Sequence, residues 1–286
     1  MPFDNPTRTK LARLVTNARS LLTTEFTKQL QELYGIQPDG RCTDLDKLTH
    51  LDEEQLAIAE QLRERIFHLA SGIEDKHPMA VATDRLIREQ AFTILNRFAA
   101  LRLCEERGLV QECVRQGASS KGFKVYLQIA GSALGHTYAR YRTFLFCLFD
   151  EIAVDLGILF DRFSPYGLLF PREAVLLELL HLINTDELQH IWTEDETIGW
   201  IYQYFNSKEE RQAMRKASSA PRNSRELAVR NQFFTPRYVV EFLTDNSLGR
   251  IWYEMRVGDT RLVNECDYLV RRPAEHRAGP RVRQAG

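Results

Sequence analysis

The run NQFFTPRYVVEFLTDNSLG at 231–249 concentrates the side chains best suited to hold a small molecule. Thr235 is placed to cap a helix, and Pro236 suits its first turn, where a missing N–H costs nothing. Val239, Val240, Phe242 and Leu243 then supply an apolar face, which Leu248, Ile251 and Trp252 continue. A hydroxyl beside the free N–H groups of a helix start is a receptor for a carboxylate. The same residues also read as an ordinary helix start packed on a neighbour, and residue types leave both readings open.

Other candidate chemistry is sparse. Cys42, Cys104, Cys113, Cys147 and Cys266 form no C-x-x-C pair, and no Cys/His set has zinc spacing. Cys104 and Cys147 lie in apolar stretches, so the cysteines read as reduced core residues, and no metal site is expected. The acids of TEDETIGWIYQYF at 193–205 suit a helix start, with Thr193 and Glu196 as a capping box. Trp200, Ile201, Tyr204 and Phe205 recur at helical spacing and read as core rather than as a base-stacking platform.

The elements that must position these residues are helical, and the expected fold class is mainly α. Residues 1–71 form an N-terminal helical region, with apolar positions at Leu11, Leu14, Val15, Leu21, Leu22, Phe26 and Leu30 and a second amphipathic run at DEEQLAIAEQLRERIFHLA. Residues 72–81 read as a linker, and 82–206 as a helical domain. The clearest helix carries Leu86, Ile87, Phe92, Ile94, Leu95, Phe98, Leu101 and Leu103, with Gly108 at its C-terminal cap. Asn96 and Arg97 read as a polar edge of that face. A helical run spans 137–160, SPYG at 164–167 is a turn, and Pro171 opens a further helix. Residues 207–230 read as a basic linker: SKEERQAMRKASSAPRNSR has six basic and two acidic residues, for solvation or for phosphates. Residues 231–270 are a lead-in segment, and 271–286 an irregular basic tail.

Composition sets limits. The 286 residues are 44% hydrophobic and 27% charged with a net charge of −1, ordinary values with no global basic field for nucleic acid. The run FLFCLF at 144–149 is cut by Asp150 and Glu151, far short of the ~20 apolar residues of a membrane span. MPFDNPTRTK has no apolar stretch behind it, so a cytoplasmic protein is expected.

The segment at 231–249 resembles the F-x-T-P-x-x-V-V-x-x-L/M block of adenine-specific DNA methyltransferases. Together with RFAALRLCEERGLV and ETIGWIYQYFNSKEE, in that order, it is similar to the N-terminal region of the large phage-defence methyltransferases of BREX and DISARM systems. The similarity covers roughly residues 80–273. It implies methyl transfer from S-adenosyl-L-methionine to the N6 amine of adenine in double-stranded DNA, with the base flipped out. It also implies that Phe234, Thr235 and Pro236 line the donor site, Thr235 at the methionine end, with Phe233 and Tyr238 beside them.

Two blocks of that family are missing from these residues: the Gly-rich donor loop and N/D-P-P-Y/F. The sequence has no Pro-Pro, and no G-x-G turn follows residue 249. The expectation is a multi-helical domain and a helical lead-in to an absent α/β methyltransferase domain, inactive alone, with no catalytic residue. The composition of AEHRAGPRVRQAG suggests a frame lost near Pro273; the rival is a basic tail that binds nucleic acid. A separate catalytic chain or other defence-system proteins are the expected partners. The alternative is a non-catalytic helical module that binds DNA or protein, and a third possibility is a functionless remnant with exposed apolar surface.

Overall fold

Helix α3 (Pro78–Glu106) shows how this chain builds a core. Leu86, Ile94, Leu95, Phe98, Ala99 and Leu101 along it are fully buried. They pack against α1 (Asn5–Glu32), α2 (Glu53–Ser71) and α7 (Glu196–Phe205). These helices contribute Leu11, Val15, Leu22, Phe26, Leu62, Ile66 and Ile201 to the core. Each of these leucine, isoleucine, valine and phenylalanine side chains stabilises the fold by roughly 1.5–3 kcal/mol through removal from water. The remaining helices are α4 (Lys121–Ala130), α5 (Thr137–Phe160), α6 (Glu173–Ile183), α8 (Lys208–Ala217), α9 (Ser224–Asn231), α10 (Arg237–Thr244), α11 (Arg250–Met255) and α12 (Leu262–Glu265).

The structure, a computed structural model, describes residues 3–130, 135–206, 208–222, 224–231, 234–273 and 275. It is mainly helical, as expected. Among the described residues the extended pairing is an isolated bridge between Ile36 and Cys42. The chain divides into two units, Asn5–Arg230 and Asn231–Gly286 with Met1–Asp4.

The ends of the long helices follow local rules. Asp52 caps α2 in a reciprocal box with Gln55, each side chain bonded to the other's backbone N–H. Gly108 takes a φ of 67° just past α3, and the Leu109 N–H returns to the Cys104 carbonyl at 2.9 Å. The expected linker at 72–81 is shorter, because α3 begins at Pro78.

Three buried charges tie the Asn5–Arg230 unit together. Arg97, expected at a polar edge, is 1% exposed. Its guanidinium donates to the carbonyls of Leu159 (2.7 Å), Asp161 (2.8 Å) and Gly167 (3.0 Å). Asn96 is buried as well and donates to the Phe92 carbonyl at 2.8 Å. The expectation failed because neighbouring elements surround α3 well beyond its apolar stripe, and a buried polar group persists only if it is satisfied. Burial pushes the Arg97 pKa down to about 10, so it stays charged at neutral pH. The SPYG turn is a turn, closed by the Gly167 N–H on the Ser164 carbonyl at 3.0 Å. Gln90 holds both its sides, donating to the Pro165 carbonyl (2.8 Å) and accepting from the Leu169 N–H (3.0 Å). A Cβ on Gly167 would lie 2.5 Å from Arg97 Nη2 and 2.7 Å from Thr93 Cγ2, so glycine is required there.

Further along α3, Arg102 is fully buried and donates to Asn184 Oδ1 (3.1 Å) and Gln189 Oε1 (2.8 Å), with Glu106 at 2.5 Å. Glu105 accepts the backbone N–H groups of Cys113, Val114 and Arg115, folding that loop back on α3. On α1, buried Glu25 accepts from Arg172 Nε at 2.8 Å, and Gln29 donates to the Phe170 carbonyl at 2.9 Å. The loop 161–172 is therefore gripped from α3 and from α1.

Several local expectations need correction. Of the cysteines, Cys113 is buried, where burial pushes its thiol pKa up, but Cys104 is half-buried and Cys147 exposed. Leu145 and Phe149 turn inward on α5, and helical geometry puts Cys147 on the other side. Thr193 and Glu196 make no capping box: Asp195 is the N-cap without a side-chain cap bond. Thr193 belongs to the preceding 3-10 turn, where it donates to the His190 carbonyl, while Glu196 accepts from Trp200 Nε1 at 3.1 Å. Pro171 precedes the N-cap of α6, Arg172, rather than opening the helix. Residues 207–230 hold α8 and α9. Their arginines bind carbonyls: Arg211 that of Asn206, Arg215 that of Arg230, and Arg230 that of Ser219.

Two outcomes follow. Arg97→Met leaves one buried and two part-buried carbonyls without their donor, and should lower unfolding free energy by about 3 kcal/mol or more. Urea titration reads this as a lower midpoint at unchanged slope. For Glu25, burial raises the pKa, but hydrogen bonds from Arg172 and Gln29 outweigh it and the net value lies below the ordinary 4.5. A depressed carboxyl pKa contributes stability above 4.5 that is lost as pH falls through the folded value. Glu25→Gln should flatten that acid limb when urea midpoints are measured against pH.

Candidate functional site

The candidate segment lies at the start of the Asn231–Gly286 unit. Phe233 falls outside the described residues. Phe234 is half-buried, Thr235 exposed and Pro236 half-buried. Pro236 is itself the N-cap of α10, with φ −58° and ψ 145°, and no side chain caps the helix. Thr235 thus stands one residue outside the cap position expected for it. The fixed φ of proline sets the entry angle, so the chain turns into the helix after Pro236 rather than before it. The N–H groups of Val239 and Val240 bond to the Pro236 carbonyl at 3.0 and 3.3 Å. The preceding helical N–H groups, of Arg237 and Tyr238, lack intrahelical acceptors, as at any helix start. Tyr238 is 48% exposed. Arg237 pairs with Glu241 one turn on, at 2.7 Å.

α10 does not stop at Thr244. A wide π turn at Asp245–Gly249 leads into α11. Residues after α12 fold back on this turn. Asn246 accepts from the Val270 N–H (2.9 Å) and donates to the Tyr268 carbonyl (2.7 Å), while Asp245 accepts from the Tyr268 N–H. Arg250 forms a two-bond pair with Glu275, at 2.5 and 2.7 Å, and holds that carboxyl at about 2. Sequence reasoning missed these ties; the signal present was the i, i+4 spacing of Arg250 and Glu254, which pair at 2.9 Å. The irregular tail expected at 271–286 lies mostly outside the described residues.

The apolar side of this unit is open. Val240, Phe242, Leu243, Leu248, Ile251 and Trp252 are each at least 45% exposed. The structure brings Phe234, Thr235, Pro236 and Tyr238 together only as neighbours along one segment. Among the described residues no group of three His, Cys, Asp or Glu side chains is placed to hold a metal. No described helix is long and apolar enough to cross a membrane.

Comparison with known proteins supplies what this geometry leaves open. The chain is 25% identical, over 277 aligned positions, to the adenine-specific methyltransferase PglX of Lacticaseibacillus casei (strain Zhang), covering 82% of this chain and 22% of that protein. It is 24% identical over 215 positions to the adenine-specific methyltransferase BrxX of Escherichia coli O9:H4 (strain HS), covering 66% of this chain and 17% of that protein. The chain is a homologue of adenine-specific methyltransferases. It spans about a fifth of the length of these relatives. No protein-family model matches it.

In a methyltransferase homologue, an open apolar face beside the T-P segment predicts association in solution. Leu243→Ser with Leu248→Ser should lower binding of an apolar dye and concentration-dependent light scattering, because both side chains are at least 59% exposed. The far-UV spectrum should not change, since neither side chain belongs to a buried core.

Proposed function

We propose that these residues form the helical front part of a phage-defence adenine-specific DNA methyltransferase. The supporting observation is the similarity to two adenine-specific methyltransferases, which extends over 82% and 66% of this chain rather than over the T-P block alone. The reaction is transfer of the methyl group of S-adenosyl-L-methionine to the N6 amine of a flipped adenine in double-stranded DNA. Residues 231–270 are the lead-in to the donor site. Phe233, Phe234, Thr235, Pro236 and Tyr238 form one wall of it, and the Thr235 hydroxyl at the start of α10 meets the donor's carboxylate. The Asn5–Arg230 unit is a helical platform. The protein works in the cytoplasm, on DNA.

The Gly-rich loop and the N-P-P-Y/F residues are not in this sequence. Chemistry on the amine therefore requires them from elsewhere, in the same polypeptide or in a second chain. A second reading, a non-catalytic binding module, is favoured by the open apolar face of α10 and α11.

The test is incorporation of label from tritiated S-adenosyl-L-methionine into duplex DNA. The purified chain should give none. Adding a polypeptide that carries the missing blocks should give adenine labelling, and Thr235→Ala should lower it about tenfold, the loss of one hydrogen bond to a charged group. Labelling by the chain alone contradicts the reading. No labelling with the added blocks leaves the module.

A further inference from the structure

A cavity of about 620 Å³ opens in the Asn5–Arg230 unit between the end of α1, the start of α2, α5 and the loop 161–172. That volume suits a small organic ligand. Three arginines line it, and they are not equivalent. Arg172 is committed to Glu25 and Glu32, both at 2.8 Å, and Arg162 to Asp150 at 2.7 Å. Arg142 has no carboxylate at ion-pair distance among the described residues.

Arg142 is nonetheless held in place. Its guanidinium carbon lies 6.0 Å from the Tyr138 ring centroid and 5.9 Å from that of Phe146. Tyr138 beside it is itself anchored, its phenol donating to the Pro171 carbonyl at 2.7 Å. A cation seated against two aromatic rings, but not ion-paired, is pre-organised for an anion. Phe146 and Phe170, edge to face at 5.0 Å, add aromatic surface to the same wall. Glu54, also on the lining, offers an acceptor for hydroxyl or amino groups.

We propose that this cavity binds a mononucleotide, with its phosphate on Arg142 and its base against Phe146 and Phe170. A nucleic-acid strand fits worse. Glu54, 70% exposed on the cavity wall, would repel further phosphates of a polyanion. The assignment does not depend on the methyltransferase reading.

The experiment titrates the whole chain with methylanthraniloyl-AMP and follows fluorescence anisotropy. The expected result is saturable binding, displaced by AMP and far less by adenosine. Arg142→Ala should weaken it about tenfold or more, as loss of a charge-assisted anchor does. Lys216→Ala, on α8 away from the cavity, should leave it unchanged. Absence of saturable binding overturns the proposal, as does equal displacement by adenosine, which needs no variant. An equal loss in Lys216→Ala, or tighter displacement by an oligodeoxynucleotide than by AMP, also overturns it, since these indicate general attraction of polyanions.

Discussion

A single guanidinium organises the larger unit. Arg97 projects from α3 into a space where the end of α5 and the SPYG turn bring three carbonyls together. Those carbonyls belong to the last turn of α5 and to the turn that follows it, where the helix no longer supplies N–H partners. An arginine carries five donors in a rigid fork and serves several acceptors at once. Gly167 completes the arrangement, since a side chain there would collide with the guanidinium. With Gln90 on the other side of the turn, α3 dictates the path of residues 159–169. That path places Arg162, Leu168 and Phe170 on the wall of the cavity beside α5.

Much of this was legible from residue order. The apolar spacing of α1, α2 and α3 placed their buried faces, because in a helix packed on one side the stripe and the core coincide. Gly108 was legible because a left-handed residue after a helix favours glycine. Arg97 was not. A period of apolar residues marks the side of a helix that touches its first neighbour, but α3 is also covered elsewhere, and nothing local distinguishes a solvated arginine from one enclosed by chain more than sixty residues away. Cys147 failed for the opposite reason: an apolar run suggested burial all round, where α5 is covered on one side. The basic stretch 207–230 looked like a linker by composition, yet its arginines close α8 and α9 by binding carbonyls, a use of charge that composition does not express.

The candidate site was legible as a motif and less so as geometry. Phe234, Thr235, Pro236 and Tyr238 do lie at the entry to a helix, but the cap is Pro236 and the threonine hydroxyl stands outside it. The ties that shape the segment, from Asn246 and Arg250 to residues 268–275, span more than twenty positions and leave no trace in a short motif. Those ties hold the polar side, while the apolar side of α10 and α11 stays uncovered. A wall with an exposed threonine hydroxyl at a helix start and half-exposed aromatic rings suits a ligand that has both a carboxylate and a planar ring.

The central claim is that this wall meets the methyl donor. The direct measurement is ultraviolet cross-linking of tritiated S-adenosyl-L-methionine to the chain in the presence of the missing methyltransferase blocks and duplex DNA, followed by tryptic mapping. The account predicts label in the peptides 231–237 and 238–250, which carry Phe233, Phe234 and Tyr238. Label confined to the added polypeptide, with these peptides unlabelled, would contradict it.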